Sequence, residues 1–171
     1  MHISVAAQFG GLLATWLSNH IGPDAAKQLA KEVGYNDSPF FGAEKKKVLL
    51  VGELAMLNAA LAIFSVNQVF NAEDAKSVID PFLAKAKTSI FCFIETKDSS
   101  FHNRYQVRMT EYFQILSGEN PPIGLSFAFM TNLRLDPLKN PQGQMALALK
   151  LASSVSETVK ALQVMAKHAG A

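Results

Sequence analysis

Cysteine is almost missing from this chain. Cys92 stands alone among 171 residues, which excludes an internal disulfide and any zinc site built on several thiolates. Its neighbours Phe91 and Phe93 predict an inert, buried thiol, and a single cysteine is compatible with a reducing cytoplasm. Charge is scarce too. Charged residues make up 18% of the chain, below the usual quarter, and 16 basic against 14 acidic side chains leave +2. Apart from Lys45, Lys46 and Lys47 the basic residues are scattered, so the clustered positive footprint of a nucleic-acid binder is missing.

Motifs with a mechanism behind their spacing are absent as well. There is no phosphate-cradling glycine loop, dinucleotide fingerprint, HExxH, GxSxG or EF-hand loop. No Glu is followed three residues later by His, the spacing that di-metal helical bundles use, and His2, His20, His102 and His168 lie far apart. The sequence therefore gives no reason to expect a metal or cofactor, and no residue can be named as catalytic.

What the chain has in quantity is apolar surface: 49% hydrophobic residues, twelve of the total being Phe. Residues 44–70 are the run around which the rest is organised, because only Glu53, Asn58 and Ser65 are polar between positions 48 and 66. A helix apolar nearly all round needs to be surrounded. As a membrane span, its ten Val, Leu, Ile and Phe residues contribute about −3 to −6 kcal/mol, and the three polar residues oppose most of that. A buried central helix is the reading adopted, with membrane association as an alternative.

Amphipathic neighbours fit that reading. Residues 4–19 place Val5, Phe9, Leu12, Leu13, Trp16 and Leu17 at helical spacing. With no basic stretch ahead of it, this segment reads as a core-facing first helix, not a signal sequence. Gly10 and Gly11 weaken it by about 1 kcal/mol each, which suggests close approach of another helix or a local break. Pro23 opens a short helix that Gly34 closes. In the loop at 35–43, Phe40 and Phe41 are expected to pin the chain to the core. Asn71 is a natural N-cap, and Asp80 with Pro81 reads as a kink or a restarted helix.

Residues 88–135 are ambiguous. Three runs rich in β-branched and aromatic residues, with hairpin-length connections, allow an antiparallel meander. The helical stripe Phe101, Tyr105, Met109, Tyr112, Phe113 and Leu116 fits slightly better, because the strand reading drives Glu111 into the core. Residues 144–167 predict a long helix burying Met145, Leu149, Ala152, Val155, Val159, Leu162 and Ala166 against the central one.

Five residues are candidates for binding. Glu53 and Asn58 are costly if buried unpaired, and about 140° of helix rotation between them keeps them from sharing one site unaided. Glu53 either reaches water or anchors a pocket, with its pKa raised if buried unpaired; Asn58 bonds a neighbouring backbone. Arg104 and Arg108 lie four apart, three residues from Glu111, as a solvated ion-paired face or an anion or acidic-partner patch. His102 among phenylalanines allows a haem ligand only weakly.

The expected fold is all-α, five to seven helices around the central one in a single domain, with α+β as the alternative. The function expected first is a non-enzymatic interaction protein that self-associates. A carrier or sensor of a small apolar ligand is the alternative, and a membrane-associated protein the third.

Overall fold

The computed structural model describes residues 3–35 and 43–168. Its helices are α1 (Ile3–His20), α2 (Pro23–Glu32), α3 (Ala43–Val69), α4 (Ala72–Ala86), α5 (Cys92–Lys97), α6 (Phe101–Leu116), α7 (Pro121–Asn132) and α8 (Pro141–His168). A π-helical stretch, Lys87–Phe91, joins α4 to α5 without a break, so the eight segments form seven rods. Among the described residues there is no strand. The all-α expectation holds, and the meander alternative for 88–135 does not. α6 buries Phe101, Met109, Tyr112 and Leu116 on one side and turns Val107 outward, as the helical stripe predicts.

α3 is the centre. Residues 52–63 are buried without interruption, and every other helix packs on it. Ala55, Ala59, Ala60 and Ala62 keep its surface low, so neighbouring helices come close. It is long and apolar enough to cross a bilayer, yet 78% of its most apolar window is buried against the other helices.

Several local signals act as expected. Pro23 stands at the start of α2, and Gly34 closes it at φ 71°, in the region that favours glycine. The Asn71 side chain accepts from the backbone N–H groups of Glu73 and Asp74. Gly10 marks a close approach: a Cβ there would lie 2.7 Å from the Phe82 nitrogen and 2.8 Å from the Val78 oxygen, so α1 rides directly on the α4 backbone.

Four expectations are corrected. No restart occurs at Asp80 and Pro81, since α4 runs through the proline. A proline inside a helix costs about 3 kcal/mol, from the lost hydrogen bond and the clash of its ring, and burying Val78 and Phe82 on either side offsets it at about 1.5–3 kcal/mol each. Cys92 is exposed, not buried: Ile90, Phe91 and Ile94 take the inward positions around the π-helical stretch, and Cys92 and Phe93 face out. Leu12 is 55% exposed on the outer side of α1. The buried stripe of α8 is Leu147, Ala148, Leu151, Thr158 and Leu162, turned roughly a quarter rotation from the expected one, which leaves Met145 and Leu149 outside. Phe40 and Phe41 lie outside the described residues.

Candidate functional site

At position 53 the central helix carries a carboxylate with a side-chain exposure of 0%. Its partners come from α6, where Arg104, Arg108 and Tyr112 recur every four residues and therefore share one face. Arg104 donates through Nη1 to Glu53 Oε1 and through Nη2 to Asp98 Oδ2. Arg108 Nε lies 3.6 Å from Glu53 Oε2, and the Tyr112 hydroxyl donates to the same oxygen at 3.4 Å. Gly52 leaves room for this approach: a Cβ there would sit 3.3 Å from Arg104 Nη2 and 3.4 Å from the Phe101 ring.

A second tier of contacts fixes these groups. Asp98 Oδ1 accepts from the Ser100 backbone N–H at 3.0 Å and the Ser100 hydroxyl at 2.6 Å, which orients the carboxylate toward Arg104. Arg108 Nη1 donates to Glu111 Oε2 at 3.2 Å, within one turn of α6. Asn132, at the end of α7, donates to Glu111 Oε2 at 3.1 Å and lies 3.4 Å from the Tyr112 hydroxyl. Three helices thus converge on one buried carboxylate.

Burial raises the Glu53 pKa above its ordinary 4.5 although Arg104 and Arg108 pull it down. Withdrawal from water is the larger influence. Burial and then the Glu53 charge push the Tyr112 phenol up, and the same two causes push Tyr35 up to about 12, so both remain donors at neutral pH. Partial burial raises Asp98, but hydrogen bonds from Ser100 and Arg104 outweigh it and hold that carboxyl below its usual value.

The cluster opens to an outer cleft of about 610 Å³ walled by Val48 and Leu49 of α3 and Arg104 and Arg108 of α6, with Lys97 and Arg134 among the other lining residues. Of the sequence candidates, Glu53, Arg104 and Arg108 meet here, and Glu53 is buried instead of reaching water. Asn58 does not join them. It is buried, donates to the Leu54 carbonyl of its own helix at 2.9 Å, and lines a separate cavity of about 160 Å³ between α2, α3 and α8. His102 has a 66% exposed side chain, 3.8 Å from Glu95. Tyr35, Asp98, Tyr112, Asn132 and Arg134 had no signal of their own. Tyr112 was hidden by its place in an apolar stripe, although its four-residue spacing from Arg108 could have flagged the hydroxyl. Among the described residues no group of three or more His, Cys, Asp and Glu could hold a metal ion.

A second concavity lies on the opposite chemistry. Between α1 and α8 a groove of about 660 Å³ is lined by Phe9, Leu12, Leu13 and Trp16 facing Ala161, Leu162 and Met165, with His20, Lys150 and Glu157 also in its wall. Trp16 packs on His20 at 4.2 Å between ring centres, and His20 Nδ1 is 2.8 Å from the Trp16 carbonyl, so the aromatic wall is held in place. No family model, curated protein or solved structure matches this chain.

Proposed function

We propose that the protein is a non-enzymatic interaction protein that self-associates through the face formed by α1 and α8. The observation that carries this reading is the apolar surface left outside the core on α8. Met145 and Leu149 belong to the helix's most regular apolar stripe, yet the fold buries the neighbouring stripe and leaves Leu149 66% exposed. On an α-helix Leu149, Ser153, Lys160 and Val164 fall within an arc of about 60°, so the exposed Leu149 and Val164 share one face of α8 with a serine and a lysine between them. On α1, Leu12 is a further exposed apolar side chain, on the wall of the groove. Large apolar side chains left outside a core are the raw material of contact surfaces.

A second copy suits the face because its charges complement one another. Lys150 and Glu157 stand symmetrically about Ser153 and Ser154, so in two antiparallel α8 helices Lys150 of each copy, which already bonds Glu32 of its own chain at 2.8 Å, would also come toward Glu157 of the other. The same groove, at about 660 Å³, also has the size of a site for a small apolar molecule, which is the second reading.

Sedimentation velocity across a concentration series, with native mass spectrometry on the same sample, tests both. A concentration-dependent dimer that Leu149→Glu reduces to monomer supports self-association. Extra mass lost on denaturation, with the chain monomeric, moves the groove to the ligand reading. A monomer carrying nothing at every concentration sinks both.

A further inference from the structure

Asn58 sits on the central helix with an amide that the fold uses only in part. The residue is 7% exposed, and its Nδ2 donates to the Leu54 carbonyl at 2.9 Å, while its amide oxygen accepts no hydrogen bond among the described residues. Unlike the Ser65 hydroxyl, that oxygen is not sealed inside the core, and Asn58 lines the recess of about 160 Å³ between α2, α3 and α8. Ser154 of α8 lines the same recess. Its hydroxyl makes no hydrogen bond among the described residues, while its backbone carbonyl accepts from Thr158 Oγ1 at 2.8 Å. Buried polar groups are almost always satisfied, so two without partners on one recess point to something that belongs there.

The recess adjoins the groove between α1 and α8. His20, Lys150 and Ser154 line both, so these three residues form a polar waist between them. From the waist the groove runs along about 16 Å of α1 to Phe9, with Trp16 and Leu13 on one side and Leu162 and Met165 on the other. One end is therefore polar and the body largely apolar. Charges at the waist disfavour a charged occupant. Lys150 is matched by Glu32, to which it donates at 2.8 and 2.9 Å, and the Glu157 carboxylate in the groove wall repels an anion. Leu54, Leu57, Leu147 and Leu151 wall the recess, where an unpaired charge of either sign is costly. The acceptor at Asn58 calls instead for a neutral donor.

We propose that recess and groove together bind a small neutral amphiphile, an apolar body carrying one hydroxyl group. The hydroxyl donates to Asn58 Oδ1 and accepts from the Ser154 hydroxyl, and the hydrocarbon lies along Trp16 and Leu162. The recess is on the order of ten times the volume that one water needs, so the head group enters it with the first carbons attached. This inference rests on the groove holding a small molecule, the second reading above, and adds the class of head group.

Trp16 is the chain's single tryptophan and part of the groove wall, so its fluorescence reports occupancy. Titration of the full chain, at a dilution where it is monomeric, with 1-octanol and with its isomer 1-methoxyheptane isolates the head group, because the two share every atom but the ether has no O–H. Saturable binding of the alcohol is expected, about fivefold tighter than the ether, with octanoate and octylammonium weaker than the alcohol. Asn58→Leu, which keeps the volume and removes the amide, should bring alcohol and ether to equal affinity, and Ser154→Ala should narrow the gap. Equal affinity of the two for the wild type, a charged analogue that binds more tightly than the alcohol, or an unchanged preference in Asn58→Leu overturns the inference and leaves a groove for apolar molecules standing. No saturable change with any of these probes removes both. Circular dichroism checks that each variant is folded; should Asn58→Leu fail that check, Ser154→Ala decides alone.

Discussion

Burial of Glu53 withdraws a carboxylate from water, and the guanidinium groups of Arg104 and Arg108 return only part of what is lost. The consequence for stability has a definite direction. Below pH 4.5 the group is protonated in both the folded and unfolded chain. As pH rises the unfolded chain ionises first, so stability falls until the raised folded-state pKa is passed. Urea unfolding from pH 4.5 to 7.5 should therefore show the wild type losing stability relative to Glu53→Gln, whose neutral amide does not titrate. Glu53→Ala is a different perturbation. It leaves two half-buried cations without their shared partner and is expected to cost about 3–5 kcal/mol at neutral pH. Of this cluster, the sequence made Glu53 legible, because a carboxylate on an otherwise apolar helix must be accounted for. It made Arg104 and Arg108 legible as a pair four residues apart. That the pair meets Glu53, 51 positions earlier in the chain, depends on how α6 crosses α3, and nothing in local spacing encodes a crossing.

Between helices, adjacent glycines in α1 separate two physical effects. Gly10→Ala would press a Cβ into the α4 backbone and is expected to destabilise by about 1–3 kcal/mol. A Cβ at Gly11 meets nothing nearer than Lys85 Nζ, at 3.8 Å, so Gly11→Ala should stabilise by about 1 kcal/mol through helix propensity. Thermal denaturation of the two variants side by side should move the melting temperature in opposite directions. Asn71→Ala should cost about 1 kcal/mol by releasing the N–H groups of Glu73 and Asp74. Such caps and glycines were readable because their chemistry acts over three or four residues. The rotation of α8 was not. Two apolar stripes overlap on that helix, and the choice between them is made by α3 and α7, which pack against it. The continuation of α4 past Pro81 has a related reason: the local cost of the proline is real, and tertiary burial outweighs it.

At the scale of the whole molecule, the chain's accessible surface is 9365 Å², and a standard interface would cover about 800 Å² of it per protomer. A contact that small can be abolished by one charge at its centre without disturbing the core. Leu149→Glu should thus leave the unfolding free energy of a dilute sample within about 0.5 kcal/mol of wild type while removing the proposed dimer, a pairing of results that core damage could not produce. The central helix was legible at this scale because a run of residues apolar on all sides has few places to go. Its surroundings were legible as amphipathic partners. Which outer face remains uncovered was not, since that is decided by the arrangement of all the helices together.

Cys92 points away from the bundle and is the chain's one sulfhydryl. A nitroxide attached there would give each protomer one paramagnetic centre with no engineered residue. In a two-fold pair the dipolar coupling between the two electron spins would then report a single intermolecular distance, turning an outward-facing side chain into a ruler for the assembly.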